Sequence, residues 1–167
     1  PDVAAALVAA AGNEDHAPAV RVRRRREPLE VRHAVRRGLE IFDEVIVGIG
    51  INPAKHPMMD AEARKQWIKT VFADEPRVKV IAYDGYTVDA ARENGARFLL
   101  RGVRTAADFE YEKNIASINR RLAGIETVLI NTLTALEHIS SSLVRERLAA
   151  GQDISDLIPA NAPINLL

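Results

Sequence analysis

The chain of 167 residues has no cysteine, so neither a disulfide framework nor a thiolate metal site can form, and a reducing compartment fits. A metal could still be held through oxygen or imidazole. No apolar run approaches the roughly 20 residues that a membrane-crossing helix needs. The Ala-rich opening, Val3 to Ala11, lacks the basic leading region of a secretory signal. A soluble, unexported, cytoplasmic protein without a membrane partner is therefore expected. Net charge is absent too, with 23 Lys and Arg against 23 Asp and Glu. That balance hides a local excess: residues 17–37 carry eight Arg against two Glu, and the remainder carries 15 basic and 21 acidic side chains. A basic block of this kind, densest from Arg21 to Arg26, suits contact with an anion or a nucleic acid.

What the chain does have is the composition of an ordinary globular protein, 47% hydrophobic and 28% charged, at a length suited to one domain. Glu44-Val-Ile-Val-Gly-Ile-Gly50 is a β-branched apolar run of the type buried on both faces of a parallel sheet. Asp60 stands as the N-cap of a helix that carries Trp67, Ile68, Val71 and Phe72 at helical spacing and is closed by Pro76. A strand over Val78 to Tyr83 follows, then a helix over Val88 to Asn94 ended by Gly95, and a strand over Arg97 to Arg101. A helix over Asp108 to Leu122, with Phe109, Ile115, Ile118 and Leu122 expected on one stripe, leads to a strand over Glu126 to Asn131. Ser142 to Ala150 is a last helix, stopped by Gly151. The alternation predicts an α/β fold, a doubly wound, Rossmann-like parallel sheet in a single domain. Ligands of such sheets sit outside the carboxyl ends of the strands.

Three segments fall there. In Arg101-Gly102-Val103-Arg104, two guanidiniums flank a glycine, which suits oxyanions approached closely by backbone; the other reading is a solvated loop whose arginines pair with Asp108 and Glu110. Ile139-Ser140-Ser141-Ser142 gathers hydroxyls and free N–H groups at a helix start, where phosphate binds, though serines there also serve as plain caps. Asn52-Pro53-Ala54-Lys55-His56-Pro57 offers a lysine for an anionic substrate or an exposed loop lysine; His56 has no partner at metal-ligand spacing.

Arg101-Gly-Val-Arg104 followed by Asp108-Phe-Glu-Tyr-Glu112 resembles the Arg-Gly-Leu-Arg and Asp-Phe-Glu-Tyr-Glu motif of the bacterial phosphopantetheine adenylyltransferases, and the likeness runs in order from about Val35 to Pro159. The resemblance implies transfer of an adenylyl group from ATP to 4′-phosphopantetheine, giving dephospho-coenzyme A and pyrophosphate. It implies that Lys55, Thr87 and Arg101 bind phosphopantetheine. ATP would be held by Gly102, Val103, Arg104, Glu112 and the stretch Leu136, Glu137, His138, Ile139, Ser140, Ser141 and Ser142. Mg²⁺ would bridge the phosphates, no protein residue is assigned to the metal, and a hexamer is typical of the family. Another nucleotidyltransferase of the same superfamily, or a non-catalytic nucleotide or nucleic-acid binder using the Arg21 to Arg26 arm, are the alternatives.

The family opens with a buried strand and Gly-Ser/Thr-Phe-Asp-Pro-x-Thr-x-Gly-His, and this motif is missing. The nearest string, Arg25-Arg-Glu-Pro-Leu-Glu-Val-Arg-His33, aligns His33 with the family histidine and makes it the catalytic candidate, but two residues short of the usual spacing to Phe42. Val31, Val35, Leu39 and Phe42 form an apolar helical stripe that leaves His33 off it, so its other reading is an exposed histidine. Arginines in Val20 to Arg26 cannot be buried cheaply in a central strand. Residues 1–34 are therefore expected to be an aberrant, Arg-rich, poorly ordered segment with the sheet's first strand aberrant or missing, and residues 35–167 to be the adenylyltransferase-like domain. The abrupt change of character at Val35 reads as translation of the preceding stretch in a shifted frame, or as a divergent basic arm.

Overall fold

The structure, a computed structural model, describes residues 5–10, 28–51, 60–133, 139, 141–160 and 162. Five strands, β1 (Ala5–Ala10), β2 (Glu44–Gly50), β3 (Val78–Tyr83), β4 (Phe98–Val103) and β5 (Glu126–Asn131), alternate with α1 (Pro28–Gly38), α2 (Ala61–Val71), α3 (Thr87–Glu93), α4 (Ala106–Ala123) and α5 (Ser141–Ala149). The strands form one sheet in the order β3-β2-β1-β4-β5, and every pairing is parallel, as the alternating pattern predicts.

The expectation of an aberrant or missing first strand is corrected by β1. Ala5–Ala10 runs between β2 and β4, with Leu7 paired to Ile46 on one side and to Leu99 on the other. The Ala-rich opening can enter this position because Ala5, Ala6, Leu7 and Val8 are small or apolar and bury completely, whereas a run of arginines would have to be desolvated there. Val20 to Arg26 lie outside the described residues. The stretch expected to stand apart thus supplies the middle of the sheet and, from Pro28, the first turns of α1. A proline at the first helical position has its φ preset and gives up only an N–H that would lack a helical partner.

Helices cover both faces. Val31, Val35 and Leu39 from α1 and its exit join Trp67, Ile68 and Val71 of α2 over Ala6, Val8, Val45, Val47, Ile49 and Leu100. On the opposite face, Ala91 of α3, Ala96 and Ile125 pack on Leu7, Ile46 and Leu99. A smaller cluster joins Val144 of α5 to Ile139, Ile154, Leu157 and Ile158. The stripe Val31, Val35, Leu39 and Phe42 is buried as read from its spacing. Where α1 ends, it comes so close to the sheet that a Cβ on Gly38 would stand 2.5 Å from Leu100 Cδ2. The caps at Asp60, Gly95 and Gly151 are also as expected: the Asp60 carboxylate accepts the Ala63 N–H at 2.7 Å, and both glycines take positive φ.

The apolar stripe expected on α4 is corrected. Phe109, Ile118 and Leu122 are 44%, 38% and 77% exposed, and the residues α4 buries are Asp108 (8%) and Glu112 (5%). At about 100° per residue, Phe109 falls on the opposite flank from Ile118, while Asp108, Glu112 and Ile115 share one side; Leu122 lies near that side but stands in the last turn of α4, and it is exposed there.

Because β1 joins the two halves of the sheet, Leu7→Ala should lower unfolding free energy by roughly 2–5 kcal/mol, the cost of truncating a fully buried leucine. Urea denaturation checks this, and an unchanged midpoint would return β1 to a peripheral role.

Candidate active site

The chain builds outward through β1, β2 and β3, then returns to the far side of β1 as β4 and β5, so a crevice opens between the carboxyl ends of β1 and β4. β4 extends beyond its Val8–Leu100 pairing by Arg101, Gly102 and Val103. Arg101 alternates onto the same face as Leu99, beneath α4. There its Nε donates to Glu112 Oε2 at 2.9 Å and its Nη2 to Oε1 at 2.8 Å, both side chains being buried. A bidentate pair of this kind compensates two charges that could not be buried singly. Gly102 points the other way. A Cβ there would lie 3.4 Å from Thr132 Oγ1 and 3.8 Å from the Ile130 carbonyl oxygen, so protein packing alone does not require a glycine.

Arg104 lies just beyond the strand. Its Nη1 donates to the Ile139 carbonyl at 3.3 Å, its main-chain N–H donates to Asp108 Oδ2 at 3.3 Å, and its Nε stands 4.0 Å from the same oxygen. Since Ile139 precedes α5 (Ser141–Ala149), this arginine ties the β4–α4 loop to the helix start whose free N–H groups suit an anion. Of the pairings weighed for the loop, Arg104 takes Asp108 as read, while Glu110 turns to Lys113 at 3.3 Å and Glu112 takes its place beside Arg101. The resemblance assigns Asp108 no ligand, and the sequence marks it only as a pairing partner of the loop arginines. The signal was available in its spacing of one turn from Glu112, matched to the spacing of the two arginines.

Thr87 opens α3, with its hydroxyl 2.8 Å from the Tyr83 hydroxyl at the carboxyl end of β3. Ile139 is buried, and Ser141 and Ser142 begin α5. Lys55, Leu136, Glu137, His138 and Ser140 lie outside the described residues, as does the segment joining β1 to α1. Among the described residues the structure thus brings Arg101, Gly102, Val103, Arg104, Glu112 and Ile139 together, and it sets Thr87 at the end of another strand.

His33 sits in the middle of α1. Its reading as an exposed histidine is corrected: it is half-buried, and Nε2 is enclosed with no hydrogen-bond partner among the described residues. Burial and, secondarily, the Arg37 guanidinium lower its pKa below the ordinary 6.5, against an upward pull from Glu40.

Three measurements follow from this geometry. Glu112→Gln leaves a buried guanidinium without its counter-charge and should cost roughly 3–5 kcal/mol, whereas Arg101→Met combined with Glu112→Leu should recover most of that loss, read by chemical denaturation. The imidazole of His33 should titrate below 6.5 by NMR. Its native state binds its proton less readily than the unfolded chain, so stability should fall as pH drops from 6.5 towards the lowered native value, and His33→Gln should flatten that part of the curve.

The family described as cytidylyltransferase-like matches residues 32–147. The phosphopantetheine adenylyltransferase of Phocaeicola vulgatus is 48% identical over 141 residues, which are 83% of this chain and 93% of that protein. The enzyme of the same name from Bacteroides thetaiotaomicron is 46% identical with the same shares covered. That of Porphyromonas gingivalis is 48% identical over 80% of this chain and 88% of its own length. With a sheet, a crevice and an Arg101 to Glu112 motif of the right kind already in place, these matches are decisive: the chain belongs to the cytidylyltransferase-like family, among the phosphopantetheine adenylyltransferases.

Proposed function

We propose that this chain transfers an adenylyl group from ATP to 4′-phosphopantetheine, yielding dephospho-coenzyme A and pyrophosphate in coenzyme A synthesis. The observation that carries the reading is the pair Arg101 and Arg104 at the end of β4, each with a buried α4 carboxylate beside it, Arg104 also reaching the Ile139 carbonyl ahead of α5. A phosphate oxygen of phosphopantetheine forms a bond to the α-phosphorus of ATP as the bond to the bridging oxygen breaks, and pyrophosphate leaves with the electron pair. Positioning and charge neutralisation suffice for such a step, with no covalent enzyme intermediate.

Arg101, Thr87 and Lys55 serve the phosphopantetheine side. Gly102, Val103, Arg104 and the segment from Leu136 to Ser142 serve ATP, with Glu112 contributing through the guanidinium it fixes. His33, neutral at pH 7 by its lowered pKa, is the candidate hydrogen-bonding group for the transferring phosphate. Mg²⁺, held by ATP rather than by the described side chains, would supply charge neutralisation for the phosphates. The described residues bring no group of three acidic or histidine side chains together, and no step is assigned to the ion. A homo-oligomer, hexameric as in the family, and a cytoplasmic setting belong to the same reading. No helix among the described residues is long and apolar enough to cross a membrane.

Turnover is expected to be low, because the family's first phosphate loop has no counterpart in the sequence, and losing one preorganised donor to developing charge costs about 10²- to 10³-fold. Pyrophosphate release and ATP affinity should be measured on this chain, on Arg104→Ala, and on a variant with Gly-Ser-Phe-Asp-Pro-Ile-Thr-Asn-Gly-His between β1 and α1. The expected result is measurable ATP binding that Arg104→Ala weakens by about tenfold or more but leaves measurable, weak turnover, and turnover restored by the inserted motif. Salt-sensitive RNA binding with no pyrophosphate release from either the chain or the restored variant would overturn the reading.

A further inference from the structure

We infer that Asp108 is a positioning residue for the nucleotide, acting through Arg104; this rests on the assignment of Arg104 to ATP. A long arginine side chain loses rotamer entropy when fixed, so a loop arginine holds one pose where groups at both its ends engage it. Here they are. At one end the Asp108 carboxylate accepts the Arg104 N–H and lies 4.0 Å from Nε; at the other, Nη1 reaches the Ile139 carbonyl ahead of α5. Asp108 is itself fixed, because its own N–H donates to Thr105 Oγ1 at 3.1 Å and it faces inward from the first turn of α4. It is 8% exposed, and a carboxylate that far from water needs the cation beside it. The guanidinium is thereby set between the end of β4 and the helix start where a phosphate would rest.

The competing role is ordinary helix capping, since Thr105 and Asp108 occupy the two positions of a capping box. The two roles predict different measurements. In the full chain, Asp108→Asn should weaken ATP binding by about tenfold or more, the loss of one charge-assisted interaction, and leave the KM for phosphopantetheine unchanged. In an Arg104→Ala background the same change should cost no further affinity. Thr105→Ala, which removes the cap without touching Arg104, should lower the Tm and spare ATP affinity. If Asp108→Asn does not fold, Asp108→Glu, which keeps the charge but moves it by one methylene, is read by the same criteria. The inference is overturned if the Asp108 variant lowers only the Tm, or if its effect on ATP is undiminished when Arg104 is absent. Arg104→Ala with normal ATP affinity would overturn the nucleotide assignment itself, and the inference with it.

Discussion

A single six-residue strand with both edges hydrogen-bonded holds the two halves of this fold together. β1 pairs with β2 along its whole length and with β4 over Ala6 to Val8, and among the described residues no other strand joins β3-β2 to β4-β5. Both its faces are covered, one by α1 and α2 and the other by α3, so every described side chain in it must be apolar and fit under a helix. Alanine, leucine and valine meet that constraint. The crevice follows from it as well, since the chain reverses direction across β1 and leaves the carboxyl ends of β1 and β4 without a crossover above them.

The second constraint is electrostatic. Arg101 emerges from a buried strand, and the sheet offers it no solvent, so α4 has to bring a carboxylate down to it. Glu112 does so with both oxygens, and Asp108, one turn earlier, sets a single oxygen against the Arg104 main-chain N–H and 4.0 Å from its Nε. Turning these two inward fixes the rotation of α4 and leaves Phe109 and Ile118 on its exposed flanks. The two carboxylates thus compensate the two guanidiniums, and Arg104 in turn reaches the Ile139 carbonyl ahead of α5.

Much of this was legible without coordinates. β2 and β3 have the bounds expected from their apolar runs, and α2 begins at its Asp60 cap. The turns after α3 and α5 fall on glycines, and the Arg101 to Glu112 motif identifies both the family and the strand end that matters. Local signals were strong there because period, caps and turn residues all agreed. Besides the first strand, read as missing and found as β1, two readings failed where a local rule met a tertiary one. Apolar residues on α4 at roughly helical spacing pointed to a buried stripe, but a buried cation outweighed them. His33 lay off the apolar stripe of α1, yet its Nε2 is enclosed.

By itself the sequence determined the class of fold, the order of its later elements and the kind of phosphate chemistry, because these depend on periodicity and on motifs read along the chain. Only the tertiary structure decided which segment is the central strand, which carboxylate holds which arginine, and that Arg104 reaches the start of α5. Those are relations between residues far apart in sequence. β1 illustrates the reason: Ala5–Ala10 carries no strand-forming signature of its own, and its place is set by pairing with β2 and β4, between which Ala5 to Val8 are buried and apolar.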